Sequence, residues 1–243
     1  MSEDLAAIPV AILAGGLGTR LRPVIGERAK VVAEVDGRPF LAHLLDQVAA
    51  AGFRDVVLCT GFQAGEVEAA LGARHGPLRL RHSVETEPLG TGGALRLALP
   101  HLAAPAFLAM NGDSFCEADL AAVWAWHREK RAEATLVAVE VPDASRYGRV
   151  EIDAADRVRR FTEKQADGRP GWINAGIYCL SRGRIEALEP GRPVSLERDA
   201  LPAWAAAALL YGHRVRGRFI DIGTPGAYSA ASRFFRGESR GPE

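Results

Sequence analysis

Hydrophobic positions along the 243-residue chain fall into two alternating rhythms. A short unbroken apolar run over 8–14 ends at Gly15-Gly16, the pattern of a buried parallel strand that feeds a glycine loop. Over 40–49 the apolar positions are 40, 41, 44, 45 and 48, one face of a helix, and Gly52 is its stop signal. Residues 55–60 read as a second buried strand and complete a β-α-β unit. The alternation continues with helix over 64–71, strand over 78–83, helix over 91–99 and strand over 106–110. An α/β fold is therefore predicted, a Rossmann-like mixed, mostly parallel sheet flanked by helices.

After a helix over 120–131 the rhythm changes. Runs over 135–141, 148–152, 158–162 and 172–178 are β-rich with little helical periodicity between them, which predicts a mixed sheet extension forming a second wall. Ser195 can cap a helix through about 208, and Pro225 fits the first turn of a helix over 225–235. The Gly- and charge-rich tail over 236–243 is expected to fray. With no repeat or low-complexity linker, the reading is one domain over 1–243, with a first half over about 8–133 and a second half over about 134–235.

Composition narrows the function classes. Hydrophobic residues make up 48% of the chain, enough for a full core. Lys plus Arg and Asp plus Glu both number 30, so no net basic field draws in nucleic acid or an anionic membrane, and any anion must be bound locally. The three cysteines, Cys59, Cys116 and Cys179, are widely spaced in apolar surroundings, as reduced core thiols are. No apolar stretch reaches the roughly 18 residues of a membrane span, and no basic leader precedes the first strand. A soluble cytoplasmic protein is expected, with its oligomeric state open. The six histidines lack metal-ligand spacing, and Trp124 and Trp126 read as helix packing.

The strongest chemical signal is Gly15-Gly16-Leu17-Gly18-Thr19-Arg20-Leu21-Arg22, directly after the first strand. Glycines there let backbone N–H groups approach a phosphate chain, and the Arg20 guanidinium is a fork matched to phosphate oxygens. The loop lacks the Gly-Lys-Ser/Thr of a P-loop and the third glycine of a dinucleotide fingerprint. An aspartate at the carboxyl end of a parallel strand, as Asp113 is after the apolar run over 106–110, sits at the crevice where such sheets bind ligands and offers magnesium a hard oxygen. Asp221, between Ile220 and Ile222, points opposite to both in an alternating strand, so two carboxylates can hold one cation.

These segments, in this order, resemble the sugar-phosphate nucleotidyltransferase family, whose signature is a GGxGTRL loop followed by a lysine. Lys30 takes that position, although Ala29 and Val31 stand where the family usually has proline beside it. The resemblance implies a nucleotide site at Leu13, Ala14, Gly15, Gly16, Gly18, Thr19, Arg20, Glu85, Leu89, Gly90, Thr91 and Gly112. It implies sugar-phosphate contacts at Tyr147, Gly148, Glu163, Lys164, Asn174 and Gly176, and Mg2+ on Asp113 and Asp221. Arg20, Lys30, Asp113 and Lys164 are the implied catalytic set. The substrates would be a nucleoside triphosphate and a sugar 1-phosphate, and no C-terminal β-helix is expected.

In the family the residue aligned with Glu85 meets the Watson-Crick edge of the base. A carboxylate accepts from guanine N1–H and N2–H but not from adenine, which favours GTP; a uracil or thymine N3–H can also bond one oxygen, so pyrimidines stay open. Tyr-Gly-Arg-Val at 147–150, Pro-Gly-Trp-Ile-Asn-Ala-Gly at 170–176 and Ser-Leu-Glu-Arg-Asp at 195–199 are most similar to the D-glycero-D-manno-heptose 1-phosphate guanylyltransferase branch. The alternatives are a mannose 1-phosphate guanylyltransferase, an N-acetylmuramate 1-phosphate uridylyltransferase, or a catalytically idle nucleotide-sugar sensor.

Overall fold

The computed structural model describes residues 4–162 and 168–237. The first half alternates strand and helix: β1 (Val10–Leu13), α1 (Arg22–Ile25), the hairpin β2 (Glu34–Val35) and β3 (Arg38–Pro39), α2 (Phe40–Ala50), β4 (Asp55–Thr60), α3 (Ala64–Leu71), β5 (Arg74–His75), β6 (Leu78–Val84), α4 (Gly90–Ala98) and β7 (Ala106–Asn111). The second half runs β8 (Ser114–Cys116), α5 (Leu120–Glu129), β9 (Ala134–Val141), β10 (Arg149–Ile152), β11 (Val158–Thr162), β12 (Gly171–Ser181), α6 (Arg182–Glu186), α7 (Leu201–Ala206), β13 (Leu210–Val215), β14 (Phe219–Asp221) and α8 (Pro225–Phe235).

Among the described residues ten strands form one sheet, in the order β11-β10-β12-β7-β1-β4-β6-β5, with β9 on β12 and β13 on β9. The four central strands β7, β1, β4 and β6 are parallel. Their order places β1 between later strands that lie on opposite sides of it, and the connections diverge between β1 and β7. A crevice opens at the carboxyl ends of those two strands, which is where open α/β sheets bind ligands. The β-rich second half extends the same sheet antiparallel from β7 through β12.

Alternation along β1 decides the layers. Val10 and Ile12 face a core shared with α2, α5 and α8, whereas Ala11 faces one shared with α4, α6 and α7. Phe40, Leu41, Leu44, Leu45 and Val48 of α2 are all buried, and Gly52 follows the helix at φ +103°, a conformation only glycine adopts without strain. The three thiols are free and buried; burial pushes Cys59 and Cys116 up to about 12 and raises Cys179 as well. His127 bonds Thr135 inside the core, and Trp124 is buried while Trp126 packs on Tyr211 and His213. No helix of the described residues is long and apolar enough to cross a membrane.

The stretch over 195–215 differs from the expected pattern. The helix expected from Ser195 to about 208 is a π-turn, Leu196–Ala200, followed by α7, and it ends at Ala206. Ser195 does cap it, accepting the Arg198 N–H at 3.2 Å. The chain then enters β13, which the sequence pattern does not announce because Gly212, His213 and Arg214 interrupt its apolar positions.

Candidate active site

The glycine loop leaves β1 with the Ala14 N–H bonded to Cys59 O at 2.7 Å, and Leu21 plugs its far end into the core. Gly16 is open and Thr19 and Arg20 are exposed, so the loop presents backbone donors and a guanidinium to the crevice. Gly18 has φ +58°, and a Cβ there would lie 3.2 Å from the Lys30 Cβ. Arg20 reaches across to the second half, where its Nη2 lies 3.2 Å from the position a Cβ on Gly223 would take.

Lys30 opens a short 3-10 turn whose Val31 and Val32 are buried. The family's proline beside the lysine is absent, and a different device fixes the segment. Glu66, in the first turn of α3, accepts the Ala29 N–H at 2.7 Å and Arg28 Nε at 2.8 Å. Proline at 29 has no N–H to give Glu66. With its side chain only 11% exposed, Lys30 directs Nζ onto Asp113 Oδ2.

Asp113 is set in place by its neighbour. The Gly112 N–H donates to Leu13 O at 2.8 Å, and a Cβ on Gly112 would fall 2.7 Å from that oxygen. Asp221 arrives from more than a hundred residues away, because β14 pairs antiparallel with β8, Asp221 opposite Ser114, and the Ile222 N–H donates to Asp113 O at 3.0 Å. Ile220 and Ile222 are buried and Asp221 turns the other way, as the alternation predicts.

Burial raises the Asp221 carboxyl above its ordinary value and the Asp113 charge adds to the rise; the Gly223 N–H at 2.6 Å, Lys30 and Arg20 oppose it. Two facing carboxylates, incompletely neutralised and offering hard oxygens, fit magnesium. Among the described residues no third carboxylate, histidine or cysteine joins them, so such an ion would fill its shell from substrate oxygens and water.

On the opposite side, Glu85 follows β6 with its Oε2 accepting the Leu89 N–H at 3.1 Å. Room for it exists because Gly15 and Gly61 lack side chains: their Cβ atoms would lie 2.9 and 2.8 Å from Glu85 Oε1. Burial pushes the Glu85 carboxyl above its ordinary range. Gly90 opens α4 at φ +71° against the Val194 backbone, and the Gly92 N–H donates to Val194 O at 2.8 Å. A cavity of about 250 Å³ lies between these walls, lined among others by Leu13, Gly15, Lys30, Glu85, Thr91 and Asp113. Thr91 faces this cavity, but its hydroxyl is committed to Glu197 and to the Leu196 N–H, each at 2.7 Å.

Tyr147 stands on the other flank of the carboxylates, with Gly148 next to it in the chain. Tyr147 is half-buried, edge-on to Phe219 at 5.5 Å, and its phenol is raised by burial and then by Asp221. A larger cavity of about 790 Å³ opens beyond Tyr147 and Asp221. Asn174 and Gly176 belong to a bulge in β12, where the step from Asn174 to Tyr178 lies opposite only the step from Ala138 to Leu136. Asn174 staples it, giving Nδ2 to the Tyr178 phenol at 2.7 Å and accepting the Gly176 N–H at 3.0 Å. Gly176, at φ +73°, is thereby pressed on Asn111 and Ser114. Glu163 and Lys164 lie outside the described residues.

The structure thus gathers Arg20, Lys30, Asp113 and Asp221 at one point, with Glu85 on one flank and Tyr147 on the other. Sequence reading did not single out Glu66, Gly61 or Glu197, nor Asn111 as a cavity-lining side chain. Only for Asn111 was there a signal, its place beside Gly112-Asp113 at a strand end. A family profile described as Nucleotidyl transferase matches residues 9–238 of this arrangement. The chain belongs to the nucleotidyl transferase family.

Its relatives include the mannose-1-phosphate guanylyltransferase of Mycobacterium tuberculosis, 38% identical over 90% of this chain and 62% of that protein. The mannose-1-phosphate guanyltransferase of Yarrowia lipolytica is 36% identical over 88% of this chain and 60% of that protein. The chain spans about three-fifths of the length of these curated relatives. Among solved structures, HddC from Yersinia pseudotuberculosis complexed with GMP-PN superposes with a TM-score of 0.84 at 34% identity, covering 94% of this chain and 99% of that one. A putative glucose-1-phosphate thymidylyltransferase from Bacillus anthracis shares the fold at TM-score 0.83 and 22% identity.

Proposed function

We propose that this nucleotidyl transferase moves GMP from GTP to a sugar 1-phosphate, giving a GDP-sugar and pyrophosphate. The observation that carries the reading is the meeting of Arg20, Lys30, Asp113 and Asp221 at the switch point of the sheet, beside a cavity walled by the glycine loop and Glu85. A phosphate oxygen of the sugar attacks the α-phosphorus in line with the departing pyrophosphate. That oxygen is already ionised at neutral pH, so no protein base is required, and catalysis consists of positioning and charge neutralisation. Arg20 and the loop N–H groups hold the triphosphate. Lys30 exchanges Asp113 for the α-phosphate or the incoming phosphate, and Lys164 takes the sugar's phosphate. Asp113 and Asp221 would hold Mg2+, which would supply positive charge to neutralise the leaving oxygens.

Guanine is favoured by the Glu85 carboxylate, and the guanylyltransferases among the relatives support it. For the sugar, the segments over 147–150, 170–176 and 195–199 favour D-glycero-D-manno-heptose 1-phosphate. Mannose 1-phosphate is the second reading, favoured by the names of the curated relatives. A soluble cytoplasmic enzyme is consistent with soluble phosphorylated substrates. The test is a grid of nucleoside triphosphates against sugar 1-phosphates with magnesium, read by pyrophosphate release. Turnover with GTP and one of the two sugars supports the reading; nucleotide binding without pyrophosphate from any pair would identify an idle sensor instead.

A further inference from the structure

Glu197 belongs to neither the cationic set nor the metal carboxylates, yet it joins the two walls of the cleft. Its Oε2 accepts from Thr91 Oγ1 at 2.7 Å and Ser195 Oγ at 3.1 Å, and its Oε1 accepts from the Tyr178 phenol at 3.2 Å. Thr91 is the second residue of α4, in the wall of the nucleotide-side cavity. Tyr178 is fully buried and holds Asn174, which closes the β12 bulge on the sugar side.

The proton inventory of this network has one solution. Each hydroxyl accepts from a nitrogen: Thr91 from the Leu196 N–H, Ser195 from the Arg198 N–H, Tyr178 from Asn174 Nδ2. Each therefore has its own proton to place, and all three place it on Glu197. Only a group that accepts at both oxygens and donates at neither satisfies all three. The π-turn Leu196–Ala200, with the Ala200 N–H reaching back to Ser195 O at 3.2 Å, carries Glu197 between α4 and β12. π-turns of this kind recur at functional sites.

We propose that Glu197 is a positioning residue, fixing the start of α4 on the nucleotide side against the Asn174–Gly176 bulge on the sugar side so that the two substrates meet in line. The proposal rests on the assignment of those walls under the proposed function. Glu197→Gln keeps the shape and spoils the inventory. The amide oxygen takes the place facing two hydroxyls, and the NH2 group then meets a Tyr178 phenol that has nowhere to put its proton.

The test uses Glu197→Gln, Tyr178→Phe and the double variant, with kcat and both KM values and hydrogen exchange at the Gly176 amide. Glu197→Gln should lower kcat about ten- to hundredfold while the KM for GTP stays within about threefold, because a bond to a charged group is lost away from the base. The double variant should lose clearly less than the product of the two single losses, since both substitutions act through the one Tyr178–Glu197 bond. Gly176 exchange should quicken about tenfold in Glu197→Gln with the β1 amides unchanged. Independent, multiplying losses in the double variant, or unchanged Gly176 exchange, overturns the proposal. The exchange measurement needs no turnover: wild-type protein that processes no sugar 1-phosphate defeats the substrate reading, while the exchange rates still decide the role of Glu197.

Discussion

Replacing Glu85 by Gln separates base recognition from loop bracing, because it changes the charge and barely the shape. The carboxylate sits between Gly15 and Gly61 with Oε2 on the Leu89 N–H. Gln keeps one acceptor for Leu89 and exchanges the other for a donor. Guanine offers two N–H groups and loses a charge-assisted bond worth on the order of 1.5 to 3 kcal/mol, roughly ten- to hundredfold in preference. Uracil and thymine offer N3–H beside a carbonyl and pair better with the amide. Steady-state kcat/KM should therefore fall for GTP relative to UTP and dTTP.

Stability should move the other way. Burial raises the folded-state pKa of Glu85 above the ordinary 4.5, so the folded protein holds this proton more tightly than the unfolded chain. The cost of ionisation is absent below pH about 4.5, grows through the raised pKa and is then constant. Gln removes that cost, so the variant should melt at or above the wild-type temperature at neutral pH and lose the advantage in acid. An unchanged ratio of GTP to UTP efficiency in a folded variant refutes base reading by Glu85 and leaves it only the bracing of Leu89.

Asp113→Asn and Asp221→Asn should each remove most turnover and weaken Mn2+ binding, measured by electron paramagnetic resonance with a GTP analogue present, while both remain folded; near-normal turnover takes that residue out of the metal site. Arg20→Met should raise the KM for GTP most and Lys164→Met that for the sugar 1-phosphate, and the reverse pattern would swap the two phosphates. Gly112→Ala forces a methyl to 2.7 Å from Leu13 O and 3.2 Å from Val31 Cγ1. It should cost about 1–3 kcal/mol in chemical denaturation and lower turnover by displacing Asp113; wild-type stability there would contradict the tight packing at the switch point.

The parts of the fold legible in the sequence are those whose signal is local. The stripe at 40, 41, 44, 45 and 48 is α2, and the apolar run before Gly15 holds β1 because a strand buried on both faces needs no alternation. The parallel partner of β9 is hidden: Arg214 of β13 gives its guanidinium to Asp156 Oδ1 and Ile152 O, and His213 packs on Trp126, so its polar residues are satisfied by partners distant in sequence. The pairing of β8 with β14 involves three residues on each side, too few for any period to show. Lys30 is legible by resemblance, but the Glu66 carboxylate that replaces a proline in holding it is not, since it comes from another helix. The π-turn hides Glu197 for a related reason, as it shifts the helical phase by a residue and turns a capping segment into a link between walls.

If the proposed reaction is right, the α-phosphorus of GTP ends up bonded to the phosphate of a sugar. GTP labelled at the α-phosphate, incubated with the enzyme, magnesium and D-glycero-D-manno-heptose 1-phosphate or mannose 1-phosphate, tests it directly. Label is expected in a GDP-sugar, with one unlabelled pyrophosphate for each transfer, and both should be lost in Asp113→Asn. Label that remains in GTP, or appears only as free GMP, contradicts it.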